Sequence, residues 1–221
     1  MNRRSLLVGI GATTITFTGC LSDDPADPDS SRNDGGADDL GDSGRSDGDS
    51  VTAHFDEDAS RPECEKDSET IEAELNGETH EFETASTIPY PDPPTAFDRE
   101  EIIDYIESFE EAYVTHDVLC TGRGSGHVLR VGYYVQDSET FDWYDDVVIV
   151  FLLRAGGAVS GLDADGYPWE AELPYEGVVY AVDETGVARS DFDDVHELER
   201  DEFESHAPDP LERGSLVAAF G

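Results

Sequence analysis

The chain has 221 residues, with 13 Lys and Arg against 53 Asp and Glu, a formal charge of −40 and a pI near 4.1. Binding phosphate requires clustered Lys and Arg. One lysine, Lys66, and arginines scattered among carboxylates therefore exclude nucleic acid and anionic membrane surfaces as partners. A hydrophobic share of 37% with 10% aromatic is too high for a wholly disordered acidic protein, so part of the chain folds.

Arg3-Arg4-Ser5-Leu6-Leu7 opens the chain, followed by a short uncharged stretch that ends at Phe17-Thr18-Gly19-Cys20. A basic start, a short apolar run and small residues before a processing point are the parts of an export signal. A spanning helix would need about 18 to 20 strongly apolar residues. Arg3 and Arg4 with Ser-Leu-Leu resemble a twin-arginine signal, and Phe-Thr-Gly-Cys resembles a lipobox. The resemblance implies a signal peptide over residues 1–19, cleavage before Cys20, and lipidation of Cys20. The chain would then be exported and held on the outer face of the cell membrane by its N-terminal lipid. The plain alternative makes Cys20 an ordinary residue of an uncleaved N-terminal helix.

Residues 20–60 are dominated by Asp, Ser and Gly, with too little apolar surface to offset ordering entropy. They read as an acidic disordered linker, and forty such residues span roughly 35 Å end to end. Calcium binding by these aspartates would need a folded loop.

Beyond Cys20 stand Cys64 and Cys120. Outside the reducing cytosol they are expected to pair as a disulfide, with two free thiols as the alternative. A zinc site would call for close pairs such as C-x₂-C, which the chain lacks. No metal or other cofactor is expected. Loss of residues 1–19 would leave 11 basic and 53 acidic residues. Such a charge opposes compaction at ordinary ionic strength, and molar salt screens it by shortening the Debye length to about 3 Å. Lysine scarcity, acidity and the signal together resemble exported lipoproteins of extremely halophilic archaea.

Residues 61–221 are expected to form a single globular α+β domain. Thr70–Leu75 alternates, Asn76-Gly77 follows and Glu78–Thr84 resumes, a hairpin pattern. After prolines 89–94 comes a helix over 98–117, with Asp98 as N-cap and Glu101 three residues on in a capping box. Phe97 and Ile102 form a hydrophobic staple, and Ile102, Ile106, Phe109 and Tyr113 an apolar stripe. His127–Gln136 alternates as a strand, Val147–Leu153 reads as a central strand, and Val178–Val182 with Val187–Ser190 flank a second hairpin turn. Residues 193–206 fit neither pattern cleanly, and Leu216–Phe220 closes the chain as a last strand. The expectation is one amphipathic helix packed on a curved antiparallel sheet of about six strands. Its element order resembles cystatin and nuclear-transport-factor-like domains, in which a curved sheet wraps a helix. The helix ending Glu-Ala-Tyr-Val, the Tyr-Ala-Val-Asp-Glu-Thr-Gly-Val-Ala-Arg hairpin and the closing Gly-Ser-Leu-Val-Ala-Ala-Phe also resemble segments of haloarchaeal surface lipoproteins, a likeness that implies no chemistry.

Asp163-Ala164-Asp165-Gly166 with Glu172 matches part of an EF-hand spacing, but Gly161 stands at its first position and Pro168 lies inside, so a turn between strands fits better. Arg123-Gly124-Ser125-Gly126 is too short for a phosphate loop. The six histidines show no H-x-x-x-H spacing, and the chain has no Gly-x-Ser-x-Gly elbow. Aromatics concentrate in the strand region together with Arg130, Arg154 and Arg189. If a sheet concavity exists, Arg130, Tyr134, Arg154 and Trp169 are the residues expected to meet a small anionic or sugar-like ligand. The competing reading has the arginines paired with nearby acids and the aromatics in the core. The expected function is thus a non-catalytic surface lipoprotein that binds a small ligand or an envelope protein. The alternatives are a small extracytoplasmic enzyme with its site in the sheet concavity, or a purely structural envelope protein.

Overall fold

The computed structural model describes residues 50–121, 126–154, 157–173 and 175–221. Arg3, Arg4, Cys20, the linker up to residue 49 and most of the Arg-Gly-Ser-Gly connection lie outside them. The first described residues already belong to the fold. Val51–His54 forms a 3-10 turn whose Val51 is fully buried, its N–H donating to Asp183 at 3.0 Å. Residues 50–60, expected to belong to the linker, are thus tied to the folded domain, by Val51 and by the Ser60 N–H to the Leu216 carbonyl at 2.9 Å.

Strands β1 (Thr70–Leu75) and β2 (Glu78–Glu83) form the first hairpin. Asn76 and Gly77 take φ values of 56° and 83°, the left-handed pair that a two-residue turn of this hand demands. Helix α1 runs Arg99–Cys120. Asp98 accepts the Glu101 N–H at 3.2 Å, as an N-cap should. The Glu101 carboxylate does not close the expected box, because it turns back to the N–H groups of Thr95 and Ala96 at 3.0 and 3.1 Å. The helix continues past 117 because Val118 and Leu119 find burial.

The fold is mixed α+β, mostly antiparallel open sheet with few helices. Among the described residues it has ten strands in three sheets where about six in one were expected. The remaining strands are β3 (His127–Val131), β4 (Val135–Phe141), β5 (Val148–Arg154), β6 (Gly157–Leu162), β7 (Pro168–Leu173), β8 (Glu176–Asp183), β9 (Gly186–Phe192) and β10 (Ser215–Ala219). The five-stranded sheet has the order β10-β9-β8-β5-β4 and the three-stranded sheet β3-β6-β7. One pairing register runs from β5 and β8 into β6 and β7. Arg154 pairs with Glu176 and Gly157 with Leu173, so the smaller sheet continues the pairing of the larger. The single strand expected over 127–136 is likewise two, parted at Gly132-Tyr133-Tyr134. A bulge between Val128 and Arg130 shifts the alternation and brings Val128 into one cluster with Val131 and Tyr133.

Both faces of the five-stranded sheet are covered. On one, Ile102, Ile106 and Phe109 of α1 pack against Val150, Leu152, Val178 and Tyr180. On the other, Ile149, Phe151, Val179 and Ala181 pack against Val51, Val195, Phe203 and Leu211. The last three come from a 3-10 turn (Asp193–Glu197) and from helices α2 (Phe203–His206) and α3 (Pro210–Arg213). The far end of α1 lays Val114 and Val118 on the three-stranded sheet. Cys64 and Cys120 are joined by a disulfide with Cα atoms 5.8 Å apart, tying the segment before β1 to the end of α1. No helix among the described residues is long and apolar enough to cross a membrane.

Candidate functional site

Period-two alternation places the central chemistry. On β5 the residues facing α1 are Val150 and Leu152, so Arg154 follows on that face. The same count places Glu176 beside Val178 and Tyr180 on β8, and Arg189 and Asp191 after Val187 on β9. The helix answers with Glu110, which sits four residues after Ile106 on the buried face and is fully buried.

Glu110 collects donors from three strands. Arg189 grips it through Nε to Oε2 at 3.0 Å and Nη2 to Oε1 at 3.1 Å. The Tyr180 hydroxyl donates to Oε2, and Arg154 Nη1 stands 3.5 Å from Oε1. Arg189 also reaches Asp191 at 2.7 Å and lies 4.3 Å over the Tyr113 ring, while Arg154 pairs with Glu176. Burial alone would lower the Arg189 pKa, but the Glu110 carboxylate outweighs it and holds the guanidinium charged. Burial lifts the Tyr180 hydroxyl well above its ordinary value, and Glu110 adds to the effect, so it remains a protonated donor. Breaking such a buried ionic network leaves an uncompensated charge, at a cost of about 3–5 kcal/mol.

Arg154, Glu176, Arg189 and Asp191 of this cluster line a cavity of about 290 Å³, walled also by Tyr113, Asp117, Leu173 and Asp193, while Glu110 and Tyr180 lie outside its lining. That volume is at the small end for ligand pockets. Both arginines in it are paired with carboxylates, and the acidic groups outnumber them. An anion entering here would meet repulsion. Two polar atoms of the surroundings, Arg154 Nε and the Tyr133 hydroxyl, are buried without a hydrogen-bond partner among the described residues. Burial pushes the Tyr133 hydroxyl strongly up in pKa, so it too stays protonated.

The four residues expected at one ligand site do not converge. Only Arg154 lines this cavity. Arg130 is exposed on β3. Tyr134 is 59% exposed at the break between β3 and β4, and it lines a separate groove with Tyr133 and Glu107. Trp169 lies across Gly161, where an added Cβ would come within 2.6 Å of its ring, and packs in the cluster of Val114 and Val118. That contact also explains glycine at the first position of the EF-hand-like spacing. Asp163 there accepts the N–H groups of Asp165 and Tyr167 at 2.9 and 2.8 Å, holding the turn between β6 and β7. Glu110, the centre of the cluster, was missed because one acid among 53 looks like surface. Its signal was its place on the apolar stripe, in step with Ile102 and Ile106.

No family model, curated protein or solved structure matches this chain.

Proposed function

We propose that the chain is an exported, lipid-anchored surface protein of a halophile whose α+β domain, a helix on a curved sheet, binds a small neutral hydroxyl-bearing ligand without transforming it. The observation that carries the ligand class is the net-acidic lining of the cavity, four carboxylates against two arginines that are already paired with acids. A ligand hydroxyl can donate its proton to Glu176, Asp191 or Asp193, whereas a carboxylate or phosphate would face four acidic side chains. The paired arginines are fixed before a ligand arrives, which reduces the ordering cost of binding. No histidine or serine of the described residues lines this cavity. Surface display rests on Arg3, Arg4 and Cys20 and on the acidic, lysine-poor composition.

Thermal unfolding of the full chain in molar KCl, scanned against neutral sugars and polyols and against organic acids, tests the ligand. A raised midpoint with a neutral ligand, absent in Arg154→Met, supports binding. Indifference to every neutral ligand removes it and leaves the structural envelope role. Membrane fractionation and intact mass beside Cys20→Ser, in a halophilic host, test the anchor. A wild-type chain that stays soluble and unmodified refutes it.

A further inference from the structure

Away from the cavity, Cys64, His116 and Cys120 bring one sulfur, one ring nitrogen and one sulfur within 4.8 Å of one another. His116 is the unusual member. It is buried on α1, its ring stacked on Tyr90 with centroids 4.8 Å apart. Its Nε2 is 2.9 Å from the Ile88 carbonyl oxygen, which can only accept. The proton is therefore on Nε2, and Nδ1 carries the lone pair. That lone pair faces Cys120 Sγ at 3.8 Å, one helical turn on, and takes only a long 3.3 Å bond from the Cys64 N–H. An imidazole held by a carbonyl on one nitrogen, with the other left basic beside sulfur, is the arrangement that orients metal-binding histidines.

We propose that the reduced chain binds Zn²⁺, or another thiolate-preferring divalent ion, through Cys64 Sγ, His116 Nδ1 and Cys120 Sγ, and that the disulfide and the metal are mutually exclusive occupants of this corner. A dithiol reductant supplies two electrons and two protons to the Cys64–Cys120 bond, giving two thiols and leaving as its own disulfide. Metal binding then expels both thiol protons to solvent. Tetrahedral zinc, with bonds of about 2.3 Å to sulfur and 2.0–2.1 Å to nitrogen, sets an S···N edge of about 3.5 Å and an S···S edge of about 3.8 Å. The existing S···N distance of 3.8 Å is already close. The freed sulfurs need only part by side-chain rotation, and coordination takes over the lone pair now used by the Cys64 N–H. Three protein ligands leave a fourth position to solvent. The ion would also lie at the C-terminal end of α1, where carbonyl dipoles favour positive charge and Lys66 Nζ already donates to Leu119 at 3.3 Å. Cys64, His116 and Cys120 do not line the cavity of the proposed ligand, so either idea can fail alone.

The test uses the full chain carrying Cys20→Ser, which removes the third thiol, reduced with a phosphine and titrated with Co²⁺ and then Zn²⁺. Thiolate-to-cobalt charge-transfer absorption, one ion per chain, lost on adding Zn²⁺ and absent from the oxidised protein, is the expected result. His116→Gln should weaken binding by about 10-fold or more. Nitrogen NMR of the unmutated site avoids the question of whether that variant folds. On Zn²⁺ addition the His116 Nδ1 resonance should move to the metal-bound range while Nε2 stays protonated. No charge-transfer band in the reduced chain, or an unmoved Nδ1 while metal binds, overturns the proposal.

Discussion

Arg189 holds Glu110 with two parallel hydrogen bonds of 3.0 and 3.1 Å, joining β9 to α1 across 79 residues of sequence. A two-point grip of this kind fixes the rotation of the helix as well as its distance from the sheet. Neither group touches bulk water appreciably, so the pair is set by its partners rather than by solvent.

Glu110→Ala should therefore lower unfolding stability by about 3–5 kcal/mol, because it leaves Arg189 with only the exposed Asp191 as an anionic partner and the Tyr180 hydroxyl without its acceptor. Adding Arg189→Met to Glu110→Leu should recover most of that loss, since an apolar pair of similar volume carries no desolvation cost. Urea unfolding at fixed KCl reads both. A single variant as stable as wild type would show that the ionic network is not formed.

Replacing Cys64 and Cys120 with serine opens a loop whose ends are 56 positions apart. The loop-entropy model gives a loss of about 4 kcal/mol in metal-free buffer. The loss acts through the unfolded chain, so it should vary little between low and molar KCl, unlike the charge repulsion of the surface. Equal stability with and without reductant would contradict it.

Alkaline pH should unfold the domain through its tyrosines. Burial pushes Tyr105 from 10.0 to about 12, with Arg61 pulling the other way, and it lifts Tyr180 and Tyr133 well above the ordinary value. The folded chain keeps these protons where the unfolded chain releases them. Their contribution is thus whole below about pH 10 and drains away as pH rises through the folded values. Tyrosinate absorbance from this set should appear together with loss of far-ultraviolet dichroism. Ionisation of all nine tyrosines in a chain of native dichroism would refute the prediction.

Phe203→Ala should cost about 3–5 kcal/mol. Phe203 is 5% exposed and its ring centroid lies 5.1 Å from that of Phe151 on the central strand. Melting temperature and urea midpoint both report it, and a change under 1 kcal/mol would mean that the short helices do not cover this face.

What could be read in the sequence follows from how local each signal is. The Asp98 cap, the α1 stripe and the Asn76-Gly77 turn are written within a few residues, and the corresponding elements form. The parting of β3 from β4 was not legible, because alternation runs on unbroken through Gly132-Tyr133-Tyr134 and the bulge at Val128 is fixed by pairing with β6. Residues 193–206 looked unpatterned because they bury one large side chain at a time, Val195 and then Phe203, against a sheet distant in sequence. The same non-locality hid the site. Arg154 stood out by its position on a strand, but its partners Glu110 and Glu176 came from different elements, and Trp169 was committed to packing over Gly161.

The Val51 plug decides how the folded part would take mechanical load. A pull on the N-terminal segment enters at Val51, held by its buried side chain and its bond to Asp183 at the turn between β8 and β9. The next backbone tie is the Ser60 N–H to the Leu216 carbonyl on the edge strand β10, at 2.9 Å. Once these yield, the chain peels only as far as Cys64. There the covalent bond to Cys120 hands the force to the end of α1 and spares the sheet. The domain would thus give up its first residues under tension, as a short slack length that takes Val51 out of the core, before α1 or the cavity bears strain.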